Sequence, residues 1–255
     1  MTGARRPAEG AVGEGTAQDA AGRAGNPVPE PSVTSMFDSI APVYDRMNTM
    51  MTAGMDGRWR RAAVKATGLT KGGRALDVAC GTGKLTAALA SVAGPDGSVV
   101  GVDLSPAMLD EARRAFGELP RVEFRLGNAL VLPVADGTFD AATIAFGLRN
   151  LSDYEAGFRE MARAVRSGGR VVCLELSVPR PRFMGRVYQG LFRVTAPVIG
   201  ALFRRRAAYA YLPHSLEGFP GAEEIAAIMR HAGLQNVSFK RLAMGAVALH
   251  VGTVA

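Results

Sequence analysis

From Arg74 to Leu176 short apolar runs alternate with stretches of helical period, and turn signals stand between them. Arg74–Ala79, Ser98–Val102, Val122–Leu126, Phe139–Ala145 and Gly169–Leu176 read as strands. Lys84–Ala93, Pro106–Phe116 and Tyr154–Val165 read as helices. Gly-Pro-Asp-Gly at Gly94–Gly97, Asp136-Gly137 and Ser167-Gly168-Gly169 supply the turns. Strands separated by helices at this pitch can bury both sheet faces only in a doubly wound α/β domain with a mostly parallel sheet. After Leu176 the alternation breaks, then resumes with a helix at Ala222–His231 and two closing strands, Asn236–Arg241 and Val247–Val251. The closing strands are too close in sequence for a crossover, so they pair antiparallel. The expectation is a seven-stranded sheet whose last strand is antiparallel.

Three regions frame this core. Residues 1–33 carry no aromatic residue and no hydrophobic period, and read as a disordered tail. The domain then spans 34–255. Within it, 34–66 places Phe37, Ile40, Tyr44, Met47 and Trp59 at helical spacing, as a helical lid would. The stretch 177–212 has seven arginines, no acidic residue and many aromatic and aliphatic side chains. It is read as an insertion facing the acceptor and an anionic membrane surface.

Charge and cysteine content narrow the function. The tail holds three arginines against four carboxylates, a net of −1, so of the chain's net +7 the remainder carries +8. A basic surface suits nucleic acid, anionic lipid or an anionic cofactor, and does not choose among them. Two cysteines, Cys80 and Cys173, and three scattered histidines fit neither a disulfide framework nor a metal site. No apolar run reaches the roughly 20 residues that span a bilayer. With no secretory signal either, a cytoplasmic enzyme is expected, with at most peripheral membrane contact.

The main chemical signal is Ala75-Leu76-Asp77-Val78-Ala79-Cys80-Gly81-Thr82-Gly83-Lys84. Here an apolar strand enters a glycine turn and then a helix, which lets the backbone approach a ligand. Asp103 ends the next strand, where a carboxylate can accept from both ribose hydroxyls. A nicotinamide fingerprint would want a third glycine where Thr86 stands, and Asp77 would repel a pyrophosphate. S-adenosylmethionine, a sulfonium with a cationic amino-acid head, tolerates that carboxylate. Asp77 is expected to act on the methionine end through the loop or through water. Gly127-Asn128-Ala129 follows the third strand and can meet the adenine edge. Cofactor contacts are therefore expected at Asp77, Gly81, Gly83, Asp103, Asn128 and Ala129.

The chain resembles the ubiquinone/menaquinone biosynthesis C-methyltransferases from about Met36 to its end. The resemblance rests on Tyr44-Asp45-Arg46-Met47-Asn48 with Trp59, on Phe146-Gly147-Leu148-Arg149-Asn150, and on Leu174-Glu175-Leu176-Ser177 after Gly168-Gly169-Arg170. Tyr211-Leu212-Pro213 and Ala246-Val247-Ala248-Leu249-His250 also match. The sequence departs from the family at Ala145, where a serine is usual, around Asp56-Gly57, where a histidine is usual, and at Ala243-Met244-Gly245. The resemblance implies a class I S-adenosylmethionine-dependent fold, no metal, and methylation of a lipid quinol, demethylmenaquinol above all. A related quinone or a soluble phenol is the alternative acceptor, and a non-catalytic scaffold of a quinone-synthesis complex the alternative role. It also implies a cofactor contact at Thr82, and Arg149, Asn150, Tyr44 and Asp45 as catalytic residues with Phe146 on the substrate side; His250 either faces the substrate or is a core histidine with its ring nitrogens satisfied. A homodimer is compatible with it. A nucleic-acid substrate is not expected, because no Asn-Pro-Pro-Tyr-like segment follows the fourth strand.

Overall fold

The structure is a computed structural model and describes residues 25–177 and 218–255. The chain opens with two helices, α1 (Glu30–Met51) and α2 (Asp56–Thr67). Strands β1 (Arg74–Val78), β2 (Ser98–Asp103), β3 (Val122–Leu126), β4 (Phe139–Ala145) and β5 (Val165–Leu176) follow. They are separated by α3 (Lys84–Ala93), α4 (Pro106–Phe116) and α5 (Tyr154–Ala164). A helix, α6 (Ala222–His231), precedes β6 (Gln235–Leu242) and β7 (Val247–Thr253).

The seven strands form one sheet in the order β3-β2-β1-β4-β5-β7-β6. Strands β1 to β5 pair parallel, and β7 runs antiparallel between β5 and β6. This is the doubly wound sheet expected from the sequence. The order reverses at β1, whose neighbours β2 and β4 are reached by connections running in opposite senses. Ligands in such sheets lie outside the carboxyl ends of the strands at that crossover point.

Both faces are apolar, as a buried parallel sheet requires. On one face Leu76, Val78, Ile144 and Val171 pack with Phe158 and Met161 of α5 and with Ile225 and Met229 of α6. On the other, Ala75 and Val99 pack against Leu85 and Leu89 of α3 and Val64 of α2. The helix starts follow from local chemistry. The Ser105 hydroxyl accepts from the Met108 N–H, with Pro106 opening α4, and Asp153 caps α5 by accepting from the Ala156 N–H at 2.9 Å.

Three boundaries differ from the sequence reading by two residues or more. The lid helix begins at Glu30, so residues 25–33, expected in the tail, belong to the described fold. The Asn26 N–H donates to the Leu151 carbonyl at 2.7 Å, and Val33 is buried. Strand β5 starts at Val165, which pairs with Phe139 before an irregularity in the register. Strand β7 extends to Thr253. The rest of the expected tail, and the expected insertion 177–212 apart from Ser177, lie outside the described residues. No helix among the described residues is long and apolar enough to cross a membrane.

Candidate active site

Between the ends of β1, β2, β3 and β4, roofed by α1, lies a cleft of about 750 Å³ that opens to solvent. Its floor is the loop from β1 to α3. Ala79, Gly81 and Gly83 all have positive φ there, at 51°, 55° and 79°. A Cβ on Gly83 would stand 2.9 Å from the Phe124 ring, so the glycine is needed for both conformation and space. A Cβ on Gly81 would meet only Tyr44, at 3.9 Å.

Asp103, at the end of β2, fixes this loop and faces the cleft. One carboxylate oxygen accepts from the Gly81 N–H at 2.8 Å and the other from the Ser105 N–H at 2.9 Å. Each oxygen retains a second lone pair, which suits a ribose diol. Burial raises the Asp103 pKa; the N–H groups of Ser105, Gly81 and Leu104 act in the opposite sense. Asp38 of α1 accepts from the Ser105 hydroxyl at 2.5 Å, which ties the lid to the start of α4.

Asp77 does not reach the cleft. It is buried beneath the loop, where it accepts from the hydroxyls of Thr86 and Thr143, each at 2.7 Å. Burial pushes its pKa up to about 6 against the lowering effect of those two hydroxyls. Asp77 thus acts through the loop, anchoring the first turn of α3 to β1 and β4. Thr82 is also indirect: it donates its hydroxyl to Asp45 at 2.8 Å, and Asp45 lies 3.3 Å from the Lys84 ammonium. Asp45 is therefore a brace between α1 and the loop, not a wall of the cleft.

Beyond the end of β3 the cleft is lined by Gly127, Asn128 and Ala129, together with Glu30, which the sequence reading did not single out. The Asn128 amide donates to Glu30 at 3.0 Å, and the Ser152 hydroxyl donates to its other oxygen at 2.9 Å. Nothing in the sequence near Glu30 signals this seat, because its partners arrive from distant loops.

On the far side of β1 the wall is made by Ala145, Phe146, Gly147, Asn150 and Leu151, with Tyr44 of α1. Phe146 has a φ of 58°, an unusual value for a bulky residue at the end of a strand. Its ring lies 6.2 Å from Trp59 and 5.6 Å from the Arg60 guanidinium. Arg149 turns away from the cleft. Its guanidinium pairs with Glu175 at 2.7 Å and donates to the Phe146 carbonyl at 2.6 Å. Glu175 is fully enclosed, and its second oxygen accepts from the Arg149 N–H at 3.3 Å. A lone carboxylate in the apolar run Val171–Leu176 was the signal for this pair.

The cleft therefore gathers Tyr44, Gly81, Asp103, Asn128, Ala129, Phe146 and Asn150, and leaves Asp45, Asp77, Thr82, Gly83 and Arg149 as its supports. His250 belongs to neither group. It sits inside β7, fully buried, with Nε2 2.8 Å from the Ala222 carbonyl and its ring 5.3 Å from Phe239. Burial lowers its pKa, so it is a neutral core histidine and does not face a substrate. Among the described residues no three His, Cys, Asp or Glu side chains are gathered to hold a metal.

The donor set fits S-adenosylmethionine: a half-buried carboxylate for the diol, apolar walls for a base, and a glycine floor a side chain would fill. Comparisons agree. Residues 26–254 match the model of the ubiE/COQ5 methyltransferase family. A demethylmenaquinone methyltransferase of Bacillus licheniformis is 41% identical over 224 residues, 88% of this chain and 97% of that relative. A ubiquinone/menaquinone biosynthesis C-methyltransferase UbiE of Geobacter sulfurreducens is 40% identical over 223 residues, 86% of this chain and 87% of the relative. A solved SAM-dependent methyltransferase of Thermotoga maritima superposes with a TM-score of 0.60 at 22% identity, covering 87% of this chain and 99% of its own. At that identity the likeness concerns the fold.

Proposed function

The chain belongs to the ubiE/COQ5 methyltransferase family, and from that premise we propose that it methylates a ring carbon of a polyprenylated quinol, converting demethylmenaquinol to menaquinol. The observation that carries this reading is the position of Phe146–Asn150. The segment on which the resemblance rests forms the cleft wall across β1 from the cofactor carboxylate Asp103.

S-adenosylmethionine, when bound, supplies the methyl group as an electrophile. The chain's own residues prepare the acceptor. A quinol carbon becomes nucleophilic as a neighbouring hydroxyl, a phenol of pKa about 10, gives its proton to water; the ring carbon gains the methyl as the methyl–sulfur bond breaks, then releases its own hydrogen as a proton to water and regains aromaticity. Asn150 and Tyr44 line the cleft, and their polar groups hold that ring hydroxyl. Phe146 and Leu151 give the ring an apolar wall and exclude water. Arg149 is a positioning residue. Clamped by Glu175, it fixes the Phe146 carbonyl and the turn that presents Asn150. Holding the ring carbon at the methyl supplies much of the acceleration. The seven arginines of 177–212, interleaved with apolar residues, support peripheral contact with anionic lipid, where a prenylated acceptor resides.

The test is the quinone profile of a strain lacking the gene, read by mass spectrometry. The expected result is a menaquinone lighter by one methylene unit, restored by the gene. An unchanged quinone pool would overturn the assignment and leave a soluble phenol as the acceptor.

A further inference from the structure

We propose that Glu30 selects adenine in the cofactor site, its carboxylate accepting a hydrogen bond from the exocyclic 6-amino group. The inference rests on the placement of the ribose at Asp103. From there the cleft extends in two directions. One leads past Gly81 to Tyr44 and Asn150, the reactive end. The other leads past Leu104 and Met108 to Asn128, Ala129 and Glu30. A flat base fits the second branch, where Val33, Met108 and Ala129 are apolar and buried.

A 6-amino group needs an acceptor, and among the described residues lining that end of the cleft Glu30 is the one carboxylate, where the other oxygens are neutral and each already takes one N–H or stands in the backbone. The Asn128 side-chain oxygen takes the Leu130 N–H at 2.9 Å, and its amide nitrogen donates to Glu30. The backbone carbonyls of Asp103, Asn128 and Leu151 take the N–H groups of Gly127, Val131 and Asn26. Glu30 differs. A carboxylate only accepts and offers about four lone-pair sites. Asn128 and Ser152 use one on each oxygen and thereby fix its orientation. Two sites remain, carrying full charge. An amino group satisfies them, whereas the 6-oxo group of hypoxanthine would set oxygen against carboxylate.

The experiment is calorimetric titration of the full chain with S-adenosylhomocysteine and with S-inosylhomocysteine, which differ in the 6-substituent and in the N1 proton that goes with it, so the readout is how far each Glu30 variant changes the preference from its wild-type value. A site built to bond an N–H rejects the analogue lacking it strongly, so wild type should prefer the adenosyl compound by about 100-fold or more. Glu30→Gln retains an oxygen for Asn128 or Ser152 and presents a donor as well, so the preference should fall to about 10-fold or less. Glu30→Ala should lose adenosyl affinity and the preference together. If both variants weaken the two compounds equally and the preference stays at its wild-type value, Glu30 is only a latch between loops and the inference is overturned. An Asp103→Ala variant with wild-type affinity would overturn the ribose placement instead, with the inference built on it, and is distinguishable because the Glu30 variants play no part in it.

Discussion

Glu175→Gln leaves the guanidinium of Arg149 enclosed without its counter-charge. Glu175 is fully buried and Arg149 is only 6% exposed, so water cannot replace the lost partner. Breaking one side of such a buried pair costs about 3–5 kcal/mol. Glutamine keeps one acceptor for Arg149 or for the Leu176 N–H, which argues for the lower end, about 3 kcal/mol. In a domain of this size each kcal/mol moves Tm by about 2–4 °C, so a fall of about 6–12 °C is expected. Arg149→Met should cost a comparable amount, because it strands the carboxylate. The double variant Arg149→Met with Glu175→Leu should recover much of the stability, since a well-packed apolar pair replaces a buried ion pair at little cost. Turnover separates structure from positioning. Both single variants should lose about 100-fold or more in kcat, and the stable double variant should stay as slow. Affinity for S-adenosylmethionine should remain within about threefold, less than 1 kcal/mol, because neither side chain lines the cleft. Urea unfolding gives the first quantity, and steady-state kinetics on a short-chain demethylmenaquinol kept reduced gives the second. Single variants within about 1 kcal/mol of wild type, or a double variant with restored turnover, would refute the reasoning.

Asp103→Ala should weaken S-adenosylmethionine binding by about 10-fold or more, because two charge-assisted hydrogen bonds to the ribose at about 1.5–3 kcal/mol each are removed; unchanged affinity by calorimetry would contradict the placement. Asp77 titrates in the folded chain at about 6, above its ordinary value of 3.8. Its contribution to stability is thus fully present below pH 3.8 and lost as pH rises through 6, since the folded state binds the extra proton. Asp77→Asn should flatten that decline, and urea midpoints that run parallel for the two proteins between pH 4 and pH 6.5 would count against it. Gly83→Ala places a methyl 2.9 Å from the Phe124 ring at a φ of +79°. It should destabilise by about 1–3 kcal/mol and weaken cofactor binding, because the loop must shift to accommodate it; wild-type urea midpoint and affinity together would refute that.

The sheet was legible because its strands carry their own evidence. Val122–Leu126 and Phe139–Ala145 coincide with β3 and β4, since glycine and proline turns bound each run. Asp103 was legible for the same reason: a carboxylate ending an apolar strand in a parallel sheet falls at the ligand edge. The failures share a different cause. The place of His250 could not be settled from its own segment: β7 runs on to Thr253, and the register sets His250 between Cys173 and Phe239. That burial depends on antiparallel partners chosen by the closing of the sheet, not on local pattern. The start of α1 was missed because Pro29 and Pro31 resemble linker residues. Glu30 is held by Asn128 and Ser152, which reach it only after the sheet has formed.

Position along the strands also explains why so many expected site residues prove to be supports. Strands β1 and β4 are adjacent, and each ends in a non-glycine residue of positive φ, Ala79 at 51° and Phe146 at 58°. The two loops interlock there: a Cβ on Gly147 would stand 2.6 Å from the Ala79 Cβ. Such conformations persist only when surroundings over-determine them. Asp77 with Thr86 and Thr143 fastens the β1 side, and Arg149 with Glu175 fastens the β4 side. A mobile polar side chain in either place would leave both loops free to relax, and the distance between cofactor and acceptor is set by those loops. The buried charges beside this cleft are therefore best understood through the backbone they immobilise, and a motif that names them reports geometry as much as chemistry.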